Sequence, residues 1–546
     1  MTATRASAPI LKEGASLRSF RRAFRVALVA VLLICAALFV LWTWHWPLVN
    51  DAAMIHYVVF LMDHGMAPYR DVPEMNLPGT FLIDWLVMHT YGGGSLACRL
   101  FDLTVLLGMG AGLVALARPY DWLAGLFAGV LMMVLHGRDG LIDTAQRDLT
   151  IAALLVLGYG FLFRARRRQE AWAAGLFGFS MAAAGTMKPT TLPLMVLLLA
   201  LLVVALRQQG KPVGRVLAAG VAGMLLPIAA VGVFLVREQA VRAFVHSLQI
   251  LEPYFAGIAR RPLSFLLVHS VSPVMPLVIL WILLGAGFTA ASWRGWNRPW
   301  SVERWERVAL VLGALAALGA YVVEGKGYPD ERYGFLVLLL LIISLDLAAA
   351  LRGRGLRLGL AVLGLGFGAF FLVPQSLAKV KQYDWRNREP VSSMEAELRE
   401  LGGSRLSGHV QCIDTNGGCG PALYGLKLVP ATSLSWDFLV FGPADNPEVR
   451  EMRARFLPQW RANPPWVILV TSRLFPNRLK DFGKLALWPD FGNFLAVHYR
   501  LCVQKRPARS GKWGPGPHVN PPTYRIYLLD GWDQSAPCAG ASAAGS

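Results

Sequence analysis

Apolar residues in this chain come in long runs broken by short charged stretches. The runs cover 26–44, 96–116, 121–137, 149–163, 171–187, 191–207, 216–236, 264–290, 308–323, 335–351 and 356–373. At 1.5 Å per helical residue, about 20 residues cross the roughly 30 Å hydrocarbon core of a bilayer. The pattern predicts an α-helical polytopic membrane protein with about 11 transmembrane helices. The first run follows a basic stretch, residues 1–25, with Arg5, Lys12, Arg18, Arg21, Arg22 and Arg25 against one acid, Glu13. It ends in Trp42, Trp44 and Trp46, an interfacial aromatic belt and not a small-residue cleavage site, so it reads as an uncleaved first helix.

The pattern changes after residue 374. Residues 375–540 mix Pro, Gly and charge with short apolar runs, which predicts a soluble α/β domain followed by a tail at 541–546. Helices are expected at 391–402 and 446–462, and strands at 408–413, 466–470, 494–503 and 524–529. Composition agrees with a membrane protein. Hydrophobic residues make up 55% and charged residues 16%, with a mean hydropathy of +0.46, whereas soluble domains carry about 25% charged residues. A disulfide scaffold, a disordered chain and a cytosolic enzyme are excluded.

The excess of 53 Lys+Arg over 34 Asp+Glu calls for a partner or a location. No nucleic-acid motif accompanies it. The basic stretches 164–168, 207–215, 292–307 and 352–357 instead fall between alternate runs, as cytoplasmic loops do. That places the N-terminus in the cytoplasm of a plasma (bacterial inner) membrane and the C-terminal domain outside it, in the periplasm. In that oxidising compartment Cys412 and Cys419, bracketing a Gly-rich turn, are either a disulfide or two unpaired thiols.

The loops on the domain side, 45–95, 136–148, 237–263 and 324–334, hold the candidate chemistry. The stretch 51–64 has the spacing of an amphipathic helix lying in the interface, and 81–91 repeats it. Asp51 begins the first. It is either a helix cap with Asn50 or a base near a lipid-borne substrate. Asp139, Asp143 and Asp148 lie beside Arg138 and Arg147; Asp139 and Asp143, four apart, read as a solvated, mutually paired loop. Lys326, Arg332 and Tyr333 could hold an anionic phosphate, or anchor the loop to lipid headgroups. Lys188, in Thr186-Met187-Lys188-Pro189, reads as a snorkelling lysine at a helix end or as part of a functional turn.

The layout resembles the GT-C glycosyltransferases, the group of dolichyl-phosphate-mannose protein mannosyltransferases and lipid A aminoarabinose transferases. The likeness rests on an acidic residue soon after the first span (Asp51), the phrase Gly65…Pro68-Tyr69-Arg70-Asp71…Asn76-Leu77-Pro78-Gly79 with Trp85 after it, and Gly92–Gly94 followed by Arg99. This chain has Asn-Leu-Pro-Gly where many relatives have Lys-Pro-Pro. The resemblance spans about 26–373 and implies a GT-C fold. It implies a polyprenyl-phosphate-linked sugar as donor and a lipid, glycan or protein as acceptor, with no nucleotide-sugar domain. Asp51 would be the catalytic base. Lys326, Arg332, Tyr333 and Arg147 would hold the donor phosphate, and Asp148, Asp71 and Tyr69 would form an acceptor or second acidic site. The resemblance names no certain cofactor, and a divalent cation is possible. Two rivals remain open at this level: a flippase for lipid-linked glycans, and a non-catalytic envelope assembly protein.

Overall fold

A computed structural model describes residues 15–293, 302–384, 390–415, 417–476, 482–507 and 523–532. The expected tail 541–546, Arg5, Lys12 and part of the basic loop 292–307 lie outside the described residues. Nine helices among the described residues are long and apolar enough to cross a membrane. Ala171–Met187, shorter but apolar, and Trp122–Asp139 coincide with the two expected runs that remain. The protein is a multi-pass membrane protein.

Small residues let two of these helices meet. Gly175 and Gly178 of Ala171–Met187 face Gly220 and Gly223 of Gly214–Arg237 so closely that a Cβ on Gly178 or Gly223 would collide with the opposite backbone carbonyl. In lipid, where no hydrophobic force drives helices together, such close backbone packing supplies the association energy. Gly223→Leu is therefore expected to separate this pair. A fall in thermal stability of detergent-purified protein checks it, with no comparable fall for Gly232→Leu, where a side chain would enter open space.

Polar contacts tie the helix ends opposite the C-terminal domain. Asp121 pairs with Arg25 at 2.7 Å and with Arg352 at 3.3 Å, and Glu306 with Arg167 at 2.5 Å. The last apolar helix runs Leu356–Phe367, widens by one turn at Gly368–Leu372, and continues as Val373–Lys381. The boundary expected at 374/375 thus falls inside a helix.

The C-terminal domain is built on a four-stranded sheet in the order β1-β2-β4-β3. The strands are β1 (Val410–Ile413), β2 (Val467–Thr471), β3 (Tyr499–Lys505) and β4 (Tyr524–Leu529). β1 and β2 are parallel and wholly buried; a parallel pair needs a crossover, which Cys419–Gly425 and Pro447–Ala462 provide. β4 is antiparallel to both β2 and β3. Cys412 and Cys419 form a disulfide, Cα–Cα 5.9 Å, that closes the turn after β1.

Two expected elements differ. The strand placed at 494–503 begins only at Tyr499; residues 489–498 are helix. Pro489 fixes the first helical φ, and Phe491, Phe494 and Leu495 bury one helical face, so the 3.6-residue period prevails over the β-forming composition. The helix Asn50–Asp63 has no solvated polar face along its middle. Every residue from Ala52 to Leu61 is buried, because the helix is roofed by the C-terminal domain: the Tyr57 hydroxyl donates to Leu428 O at 2.9 Å, and Gly420 sits against Met54. Pro78–Tyr91 does keep an exposed apolar face, with Trp85, Leu86 and Tyr91.

Candidate functional site

The site forms where four domain-side loops meet beneath the C-terminal domain. Asp51 stands in the first turn of Asn50–Asp63. That helix has no side-chain cap, so Asp51 is not held as one. Its carboxylate faces Gln146, which hydrogen-bonds to it, and the charges of Arg147 and Lys326. Burial pushes Asp51 above the usual carboxylate range, while Arg147, Gln146 and Lys326 pull it back down. A carboxylate raised by burial yet flanked by cations is suited to take a proton.

The two flanking cations stand among acids but make few direct contacts: Asp148, Glu324, Glu252 and Asp330 face Arg147, and Glu331, Glu252 and Glu324 face Lys326. Lys326 Nζ is buried with no hydrogen-bond partner and rests on the face of the Phe255 ring. Burial lowers Lys326 to about 7. Arg147 Nη1 donates to the neutral Asn76 Oδ1, and its Nε lies 3.6 Å from Asp148 Oδ2. Asn76 is the residue that replaces the lysine of the resembled motif; here it holds an arginine from the next loop.

Asp148 is paired on its other side. Lys188 Nζ lies 2.6 Å from Asp148 Oδ1 and 2.6 Å from Glu324 Oε2. Lys188 is therefore not a snorkelling lysine but the centre of a buried charge triad drawn from three segments. The triad lies at one end of a cleft, partly open to the surroundings, whose walls include Ile151, Leu155, Leu194 and Ala316.

Arg332 and Tyr333 stand behind this centre and do not flank Asp51 with Lys326. Arg332 Nη2 pairs with Asp139 at 2.8 Å and Nη1 donates to His269 O at 2.8 Å. The Tyr333 hydroxyl lies 3.2 Å from His136 Nδ1, and His136 Nε2 lies 3.1 Å from Asp102 Oδ1. Asp102 also pairs with Arg99. Arg332 Nη1 and Nη2 and the Tyr333 hydroxyl serve inter-helix contacts, while Arg332 Nε is buried without a hydrogen-bond partner. Asp139 and Asp143 do not pair as a solvated loop either. Asp139 ends Trp122–Asp139, Asp143 sits in a separate turn, and both are buried.

Asp71 is also elsewhere. Its carboxylate accepts from Ala67 N at 2.8 Å and from Arg70 at 2.7 Å, closing a turn. Tyr69, at φ +69°, is a buttress whose hydroxyl donates to Asn76 O. Sequence reasoning gave Asn76 a place only in the motif and assigned no role to Glu74. Asn76 Nδ2 donates to Glu74 Oε2 at 3.2 Å, and Trp436 Nε1 of the C-terminal domain donates to Glu74 Oε1 at 2.9 Å. The contact joins residues 362 apart in sequence, and no local signal marks it. Burial pushes Glu74 up to about 7 against these hydrogen bonds.

The loop 237–263 folds over the site as two short helices, Val241–Gln249 and Leu251–Gly257. The Tyr254 hydroxyl donates to Phe438 O at 3.1 Å, and the charge of Glu252 faces Arg147 and Lys326. Asp148 and Glu324 answer Lys188, Asp139 answers Arg332, and no group of three His, Cys, Asp or Glu among the described residues is arranged to hold a metal.

Comparison with solved structures follows this geometry. The structure superposes on ArnT from Cupriavidus metallidurans bound to undecaprenyl phosphate with a TM-score of 0.53, at 16% identity, over 92% of this chain and 97% of that one. The chain has the ArnT fold. The archaeal oligosaccharyltransferase AglB from Archaeoglobus fulgidus, in complex with an inhibitory peptide and a dolichol-phosphate, is also similar, with a TM-score of 0.47, 12% identity, and coverage of 87% of this chain and 73% of that one. No family model matches the sequence, and no curated protein matches it. The ArnT-like fold includes the C-terminal domain as well as the helices, since nearly the whole chain aligns.

Proposed function

We propose that this protein is an integral-membrane glycosyltransferase moving a sugar from a polyprenyl-phosphate donor to an acceptor on the domain side of the membrane. The observation that carries the reading is Asp51 flanked by two cations, Arg147 and Lys326, near a cleft between helices whose walls combine Asp148, Lys188 and Glu324 with apolar side chains. The ArnT fold supports it; that neighbour's structure holds undecaprenyl phosphate. The basic stretches 164–168 and 352–357 support a cytoplasmic position for the face opposite the domain.

In this reading the donor's prenyl chain enters the cleft and its phosphate lies between Lys326 and Arg147. The acceptor oxygen or nitrogen attacks the anomeric carbon as the bond from that carbon to the phosphate oxygen breaks. Asp51 takes the acceptor's proton. Displacement is in line, so the anomeric configuration inverts. Polyprenyl phosphate leaves with the bonding pair, its added charge met by the two cations. A positioned base contributes about 10²–10⁴-fold, and a preorganised partner for developing charge about 10²–10³-fold. The sugar and the acceptor are named by experiment: a deletion strain should lack a sugar on an envelope lipid, glycan or protein, and the wild-type gene should restore it. An unchanged mass profile would count against the transferase.

Binding of the polyprenyl phosphate released from the donor carries its own pH signature. Lys326, lowered to about 7 by burial, loses its charge as pH rises through that value. A phosphate monoester is already doubly ionised above about pH 6. Affinity for undecaprenyl phosphate should therefore fall between about pH 7.5 and 9, approaching tenfold per unit, as the proton that binding requires becomes scarcer. Lys326→Arg keeps the charge and should flatten the profile. Native mass spectrometry at several pH values measures both; a flat wild-type profile contradicts the assignment of Lys326.

A further inference from the structure

Segment 71–76 is clamped by the C-terminal domain. Arg455 Nη2 donates to Asp71 O at 2.6 Å, Ser433 donates to the same carbonyl, and Met75 is buried in the domain core with Trp436 and Phe438. The Glu74 side chain, 1% exposed, is the only carboxylate in that segment turned toward both the domain and the site. It accepts from Trp436 on one oxygen and from Asn76 on the other. Its own backbone carbonyl accepts from Ser247 of the overlying loop at 2.8 Å.

This arrangement fixes which way Asn76 points. With Nδ2 committed to Glu74, Oδ1 faces Arg147 and accepts from it. If the amide turned over, its N–H groups would face the guanidinium, which has donors only. A carboxylate suits position 74 because the side-chain donors of Trp436 and Asn76 converge there with the backbone N–H groups of Met75 and Asn76. A glutamine has a single acceptor oxygen and would leave one of them facing an N–H group.

We propose that Glu74 is a positioning residue through which the C-terminal domain sets Arg147: Trp436 holds Glu74, Glu74 orients Asn76, and Asn76 holds the guanidinium where the donor phosphate lies. The proposal rests on the donor reading above. It gives the C-terminal domain a part in the site without any direct contact with substrate. Aligning a charged group through a buried hydrogen-bond chain is how outer residues tune the groups that touch a ligand.

The test exchanges donors and acceptors along the chain. Glu74→Gln breaks one link, and Trp436→Phe removes the outer N–H. The double variant Glu74→Gln with Asn76→Asp restores complementarity. Its introduced amide accepts from Trp436 and donates to the introduced carboxylate, which in turn accepts from Arg147. Binding of undecaprenyl phosphate to each purified full-length variant is measured by native mass spectrometry, with melting temperature alongside. Glu74→Gln should bind about tenfold more weakly, Trp436→Phe should fall in the same direction, and the double variant should return to within about threefold of wild type, with melting temperatures alike. If Glu74→Gln binds as wild type does, or the double variant is no better than the single, the relay is wrong and the donor reading stands alone. If wild type does not bind the probe, the donor reading fails and the relay falls with it. If the binding pattern holds but the deletion strain shows no missing sugar, the transferase reading fails and the relay stands.

Discussion

Asp51→Asn should lower sugar transfer by about 10²–10⁴-fold while leaving the protein folded and able to bind donor lipid. The size follows from the role: a base positioned for proton transfer contributes about that factor. Retained folding follows from the surroundings. No side-chain cap is lost, the change is nearly isosteric, and it removes a charge that burial already disfavours. Donor affinity should hold or rise, because Asp51 and the donor phosphate, both negative, face the same two cations, Arg147 and Lys326. Loss of turnover with binding kept is the pattern of an interaction made in the transition state. Equal loss of binding and turnover would mean that Asp51 only shapes the donor site.

Lys188 has the opposite character. Asp148 and Glu324 both lie 2.6 Å from its ammonium. Lys188→Met would leave two buried carboxylates facing each other. Breaking a buried ion pair by removing one partner costs about 3–5 kcal/mol, so the variant should yield little folded protein or melt far lower. Neutralising the carboxylates as well, in Lys188→Met with Asp148→Asn and Glu324→Gln, should recover most of the stability, since an uncharged cluster no longer lacks a counter-charge. Melting curves of the single and triple variants in detergent decide it. A single variant as stable as wild type would show that the triad is not a buried charge centre.

These residues also show what the sequence makes legible. Eleven apolar runs identify the helices, because a membrane demands length and hydropathy that can be counted. Asp51, Arg147, Asp148 and Lys326 are legible as charge set beside apolar runs, where an unneeded charge is costly. Lys188 misleads because a lysine at a helix end has a local explanation, snorkelling, and only the folded chain brings Asp148 and Glu324 to it. Arg332 and Tyr333 carry suitable chemistry, but their partners Asp139, His269 and His136 come from other helices. Helix Asn50–Asp63 reads as amphipathic because the sequence does not reveal that a domain far along the chain roofs it, with Tyr57 bonded to a residue 371 positions later. Residues 494–498 read as strand because Phe and Val favour strands, whereas Pro489 and the spacing of Phe491, Phe494 and Leu495 set a helix.

The most direct test of the transferase assignment compares lipid-linked sugars and envelope glycans by mass in a deletion strain carrying wild-type or Asp51→Asn copies at equal expression. The account expects the wild-type copy to restore a missing sugar, and the variant to leave it missing while the sugar-loaded polyprenyl phosphate accumulates. Restoration by both copies would contradict it, and would move the chain from catalysis to lipid transport or envelope assembly.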